Sequence, residues 1–176
     1  MMSLDETALA EKLSEQLGVP LHVKISNVPL DERRLSPKEA LRFSELRTDG
    51  RRDSWLKGRA VLKKLLAGWG ETEETADISF PNSRLSLTHS GDYAVAVGTN
   101  SVRLSGIGVD LEIKRRVRPE AARLFLTEEE QAWVNRQTET APEEALLRLW
   151  TMKEALFKSD CDNQGMGMAD YSINEP

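Results

Sequence analysis

"GIGVDLE", residues 106–112, is the stretch on which the reading of the chain turns. A short apolar run of this kind reads as a strand, and this one carries two acids one residue apart. Side chains at i and i+2 of a strand share a face. Asp110 and Glu112 therefore stand side by side, while Ile107, Val109 and Leu111 turn the other way, toward a core. Two adjacent carboxylates repel, so the pair needs a cation or a raised pKa. A hard dication such as Mg²⁺ takes oxygen ligands and is held by one or two carboxylates beside substrate phosphates. An exposed strand end, salt-bridged to Lys114, Arg115 or Arg116, would satisfy the same pair.

Working outward, the flanks alternate between helical and strand patterns. Leu4, Ala8, Leu9, Leu13 and Leu17 fall at helical spacing before "GVP" stops them. "LHVKISNV" (21–28) alternates as a half-buried strand. "SPKEALRFSEL" opens with Ser36, Pro37 and Glu39, a capping box with proline at the first helical position. Residues 51–69 form an amphipathic helix with Trp55, Leu56, Val61, Leu62, Leu65 and Leu66 facing a core. "DISF", "RLSLTHS" and "DYAVAVG" read as strands, the last two joined by a turn at "SGD". Thr127 and Glu130 make a second capping box, and residues 141–159 a longer amphipathic helix. Tyr171 to Ile173 reads as a short strand. Several adjacent strands among helices predict an α+β fold, with a seam around Thr99 to Ser105.

Composition narrows the function classes. Of 176 residues, 39% are apolar and 30% charged, as in a globular protein, and the length suits one compact unit. The net charge of −5 argues against bulk attraction to nucleic acid or an anionic membrane. One cysteine, Cys161, permits no intrachain disulfide, which suits a reducing cytosol. The charged N-terminus does not read as a signal peptide, and no window reaches the length of a membrane span.

Three further elements carry candidate chemistry. In "WTMKEALFK" (150–158), Trp150, Glu154 and Lys158 share one helical face. Glu154 offers a third carboxylate and Lys158 reaches for a phosphate; a surface ion pair between the two is the plainer alternative. Lys153 projects from a neighbouring angle. In "RLSLTHSGD", Leu85 and Leu87 turn inward while Ser86, Thr88 and Ser90 line the other face. His89 among hydroxyls suits phosphate contact, with turn capping as the alternative. On the 51–69 helix, Arg52, Arg59 and Lys63 form a basic set fit for phosphates or for solvent.

Taken in order, "SWLKGRAVLKKLL", "SLTHSGDYAVAVG", "GIGVDLE" and "WTMKEALFK" resemble the 4′-phosphopantetheinyl transferase superfamily, in its Sfp-like branch of holo-acyl-carrier-protein synthases. The resemblance runs from about Arg51 to Ile173. It implies transfer of phosphopantetheine from coenzyme A to a serine of an acyl, peptidyl or polyketide carrier protein, with release of 3′,5′-ADP. It implies Mg²⁺ held by Asp110, Glu112 and Glu154, and Lys158 on the CoA diphosphate. His89 and Ser90 would hold CoA phosphate oxygens, with Arg52, Arg59 and Lys63 for the 3′-phosphate. The general base is open between Glu154, a water on the metal and Lys153. The fold implied is two similar α/β halves about a pseudo-twofold axis, residues 1–100 and 101–176.

The pattern departs from the family in places. Thr88 stands where many relatives carry serine, and "SFPNSR" replaces a common "GKP", leaving Arg84 as a substitute phosphate contact. Longer relatives continue with further strands beyond "ADYSI", so an uncovered sheet edge is expected. Carrier helices are often acidic, which "KRRVR" (114–118) would suit as a basic patch, with a solvated loop after the strand as the alternative. A homologue that binds CoA or a carrier without turnover is the alternative reading.

Overall fold

Helices begin where the sequence places a cap. Asp5 accepts from the Thr7 and Ala8 N–H groups to open α1 (Glu6–Leu17), and Gly18 at φ 64° closes it. Ser36 opens α2 (Pro37–Ser44) and Thr127 opens α4 (Glu128–Arg136), each with the reciprocal bonds of a capping box. The long helices are α3 (Asp49–Gly68) and α5 (Pro142–Ser159). The structure, a computed structural model, describes residues 5–113, 117–137 and 141–174. The expected helix start at Leu4 and residues 114–116 of the basic stretch lie outside these.

β1 (His22–Ser26), β2 (Leu85–Ser90) and β3 (Tyr93–Gly98) form one antiparallel sheet in the order β1-β3-β2. Ser90 pairs with Tyr93 across a tight turn, and Gly91 takes its φ of 56° there. α3 covers one face, packing Val61, Leu62, Leu65 and Leu66 on Leu85, Ala94 and Ala96. The other face presents Val23, Val95 and Val97, which Ile107 covers, with Leu104, Val109, Leu111 and Leu13 of α1 against the same cluster. α4 and α5 enclose a separate core around Phe125, Val134, Leu146 and Leu149. Each fully buried leucine contributes roughly 1.5–3 kcal/mol. The α+β class expected from the sequence is the one observed.

The outer edge of β1 is answered by side chains of α1. The Ile25 N–H donates to Glu6 Oε1 at 2.7 Å and the Leu21 N–H to Ser14 Oγ at 2.9 Å. An edge closed in this way does not template pairing with another chain.

Three expected strands are not strands. "DISF" closes turns instead: the Ile78 N–H meets the Thr75 carbonyl and Asp77 pairs with Lys38. Residues 171–173 follow a 3-10 turn (Met168–Asp170), and the Ile173 N–H donates to Glu130 Oε1 at 2.9 Å rather than to a ladder. "GIGVDLE" lies against the hydroxyl-bearing face of β2. The Val109 and Ile113 N–H groups donate to Ser86 Oγ (3.0 Å) and Ser90 Oγ (2.7 Å). Side-chain oxygens thus replace the backbone partners a ladder would supply.

One device occurs twice. Glu39 and Glu130, the acids of the two capping boxes, are both buried. Each meets a buried lysine of the neighbouring long helix: Lys63 Nζ at 2.9 Å from Glu39, Lys153 Nζ at 2.6 Å from Glu130. Each lysine also donates to a carbonyl, Glu73 at 2.6 Å and Met168 at 3.4 Å. Burial alone would raise both carboxyls. Hydrogen bonds outweigh it and hold both below their ordinary range, from Thr75, Ser36 and Lys63 onto Glu39, and from Lys153, Thr127 and Ile173 onto Glu130.

Candidate functional site

The face that carries Asp110 and Glu112 also carries Gly106 and Gly108, four and two residues before Asp110. Those glycines decide what the acids meet. A Cβ on Gly106 would fall 1.8 Å from the Ser159 carbonyl oxygen, and one on Gly108 1.8 Å from that of Ala155. The backbone of α5 therefore rests directly on the segment. No side chain other than hydrogen fits between them. This seating brings the helical face of Glu154 and Lys158 over Asp110.

Lys158 Nζ lies 2.7 Å from Asp110 Oδ1 and 3.6 Å from Glu154 Oε2. Thr88 Oγ1 donates to the same Asp110 oxygen at 2.9 Å, and Ser90 Oγ to Glu112 Oε2 at 3.3 Å. The Asp110 side chain is only 6% exposed. Its Oδ2 is buried and has no hydrogen-bond partner among the described residues. An orphaned carboxylate oxygen is costly unless something else engages it. Beside Asp110 and Glu112 a cleft of about 670 Å³ opens, walled by Leu111, Trp133, Leu147 and Met152.

The donor set fits a hard cation in kind. Asp110, Glu112 and Glu154 offer carboxylate oxygens, and Asp110 Oδ2 is already out of water and has no hydrogen-bond partner among the described residues. Lys158 holds the position between two of the three acids. Among the described residues no three His, Cys, Asp or Glu side chains form a ready metal cluster.

On the other face of β2, His89 backs onto α3. A Cβ on Gly58 would come within 2.9 Å of His89 Nε2, so that glycine admits the ring. Desolvation lowers the His89 pKa below its ordinary value, and the charges of Arg59, Lys158 and Lys57 lower it further; a hydrogen bond with the Ser54 backbone opposes them. The imidazole is thus neutral near pH 7. Lys57, two positions before Arg59, belongs to this group although the sequence did not single it out. It sits 2.6 Å from Asp53 and 4.0 Å from Asp92.

The expected basic set is largely engaged elsewhere. Lys63 is the buried partner of Glu39. Arg59 donates to the Thr75 carbonyl at 2.8 Å and its guanidinium lies 5.0 Å from the Trp55 ring centre, while its buried Nε has no partner among the described residues. Arg52 donates to the Leu46 carbonyl at 3.1 Å. Arg84 stacks on Trp69 and pairs with Glu71 at 2.6 Å. Lys153 is fully buried on Glu130 and stands apart from the acids. Ser90 anchors the 106–113 segment, accepting from Ile113 and donating to Glu112.

Residues 106–176 match the family model of the 4′-phosphopantetheinyl transferase superfamily. The matched span contains "GIGVDLE" and "WTMKEALFK", the two segments that meet at Lys158 and Asp110. The matched residues are less than half of the chain, and the match singles out no branch of the superfamily. No curated protein matches the chain. No helix among the described residues is long and apolar enough to cross a membrane.

Proposed function

We propose that the protein transfers 4′-phosphopantetheine from coenzyme A to a serine of a carrier protein, in the manner of the Sfp-like branch, releasing 3′,5′-ADP. The observation that carries this reading is the convergence of Asp110, Glu154 and Lys158, from segments the superfamily model spans. The two-half organisation about a pseudo-twofold axis belongs to the same proposal. The capping-box glutamate paired with a long-helix lysine, found at Glu39–Lys63 and again at Glu130–Lys153, supports it.

Asp110, Glu112 and Glu154 would hold the Mg²⁺. Bound there, the ion would neutralise phosphate charge and polarise the diphosphate. The chain's own groups do the rest. Lys158 binds diphosphate oxygens as a point charge on a flexible stem. His89, with Lys57 and Arg59 beside it, receives another phosphate of CoA, and a phosphate there favours the protonated imidazole. Glu154, 26% exposed, would take the serine proton, a role Lys153 does not share because it is sealed against Glu130. The cleft beside Asp110 and Glu112 admits the pantetheine arm and the incoming serine, which the chain must align with the diphosphate.

A second reading, a homologue that binds CoA or a carrier without turnover, is favoured by the seat of Lys158 between Asp110 and Glu154. Incubation with CoA, Mg²⁺ and an apo carrier protein separates the two. Transfer adds roughly 340 Da to the carrier, the mass of the group moved. Calorimetric CoA binding with unchanged carrier mass across acyl, peptidyl and polyketide carriers selects the second.

A further inference from the structure

Asp110 is out of water, and a buried carboxylate needs a counter-charge. Lys158 supplies it at 2.7 Å while standing 3.6 Å from Glu154. The lysine itself is 28% exposed, so it has a route out. Its charge also reaches His89, the group that faces the other candidate anion position.

Resting on the transferase reading above, we infer that Lys158, by exchanging partners, couples divalent-cation binding to diphosphate binding. In the free protein it is the resident counter-ion of Asp110 and Glu154. A divalent cation entering alone must approach carboxylates that already hold an ammonium, and like charges at such spacing repel strongly. A diphosphate offers the ammonium a second partner and releases Asp110. The lysine stem reaches both positions because it is long and its donors rotate. Linkage makes the effect reciprocal: the cation strengthens diphosphate binding by the same factor. Asp110 Oδ2, buried and without a hydrogen-bond partner among the described residues, is the oxygen the arrangement leaves for the cation.

Calorimetric titration of the full chain with Mn²⁺, with and without inorganic pyrophosphate, tests this. Lys158→Met is expected to bind Mn²⁺ alone on the order of tenfold more tightly than the wild type, and to lose a similar factor of the Mn²⁺–pyrophosphate coupling. Its melting temperature should fall in chelator and rise with Mn²⁺ more than that of the wild type. Lys158→Arg retains the charge and should bind Mn²⁺ alone no more tightly than the wild type. Lys158→Gln replaces Lys158→Met if the latter does not fold. Unchanged or weaker Mn²⁺ binding by the neutral variant, or an unchanged coupling factor, overturns the inference. The outcomes distinguish the two claims. An unmodified carrier with the coupling intact removes the transferase reading alone. A modified carrier with Mn²⁺ affinity indifferent to Lys158 removes the coupling alone.

Discussion

Lys158 Nζ lies 2.7 Å from Asp110 Oδ1 and so joins two residues 48 positions apart. The contact exists because α5 rests on residues 106–108 with no side chain between. A lysine one turn beyond Glu154 then falls over the acid four residues after Gly106. The site is a consequence of that seating.

Gly108→Ala tests the seating directly. The new Cβ would need to displace the Ala155 carbonyl, 1.8 Å away. Backbone must move, and overpacking of this kind costs roughly 1–3 kcal/mol. The melting temperature should fall and CoA binding should weaken. Gly50→Ala in α3, where a Cβ meets nothing within 4 Å, should be neutral or slightly stabilising. Equal behaviour of the two variants would contradict close seating of α5.

Thr88→Val removes the hydroxyl that donates to Asp110 while keeping shape. A hydrogen bond to a charged group contributes roughly 1.5–3 kcal/mol. Urea unfolding should show a loss of that order. A change below the measurement error would mean that the hydroxyl has no part in holding Asp110.

Lys153→Met leaves Glu130 buried without its cation, which costs roughly 3–5 kcal/mol. Replacing both members with apolar residues should recover most of it. The same pairs set an acid limit. Glu39 and Glu130 have folded pKa values below the reference 4.5, so each stabilises the fold above about that pH. That stability drains away as pH falls through the depressed folded values. Glu130→Gln should flatten the acid limb of the melting curve, and an unaltered limb would refute the assignment.

His89 gives the opposite signs for folding and for binding. Its folded pKa lies below 6.5, so the unfolded chain takes up the proton first as pH falls. Stability therefore decreases as pH drops from 6.5 through the folded value. A bound phosphate favours the protonated ring, so CoA affinity should strengthen between about pH 8 and about pH 6. In His89→Gln that pH dependence should vanish; its persistence would place the titrating group elsewhere.

Much of this was legible in the sequence, because capping boxes and alternation are local. Ser36–Glu39 and Thr127–Glu130 start their helices as read, and Leu85 and Leu87 face the opposite way from Ser86, Thr88 and Ser90. The acids of "GIGVDLE" share a face as alternation required. What local patterns could not show was the partner of each segment. Residues 106–113 use the hydroxyls of β2 in place of a ladder, and "DISF" closes turns. Lys63, read as facing phosphate or solvent, and Lys153, read as a candidate base, are both buried because a capping-box glutamate faces each. The glycine contribution had a visible signal: Gly106 and Gly108 fall in the same parity as Asp110 and Glu112.

Intact-mass measurement of an apo carrier protein, incubated with CoA and Mg²⁺ and either the wild type or Asp110→Asn, tests the central claim most directly. The account predicts a gain of roughly 340 Da with the wild type and none with a folded Asp110→Asn. No gain with the wild type on any acyl, peptidyl or polyketide carrier, or equal gain with the variant, would contradict it.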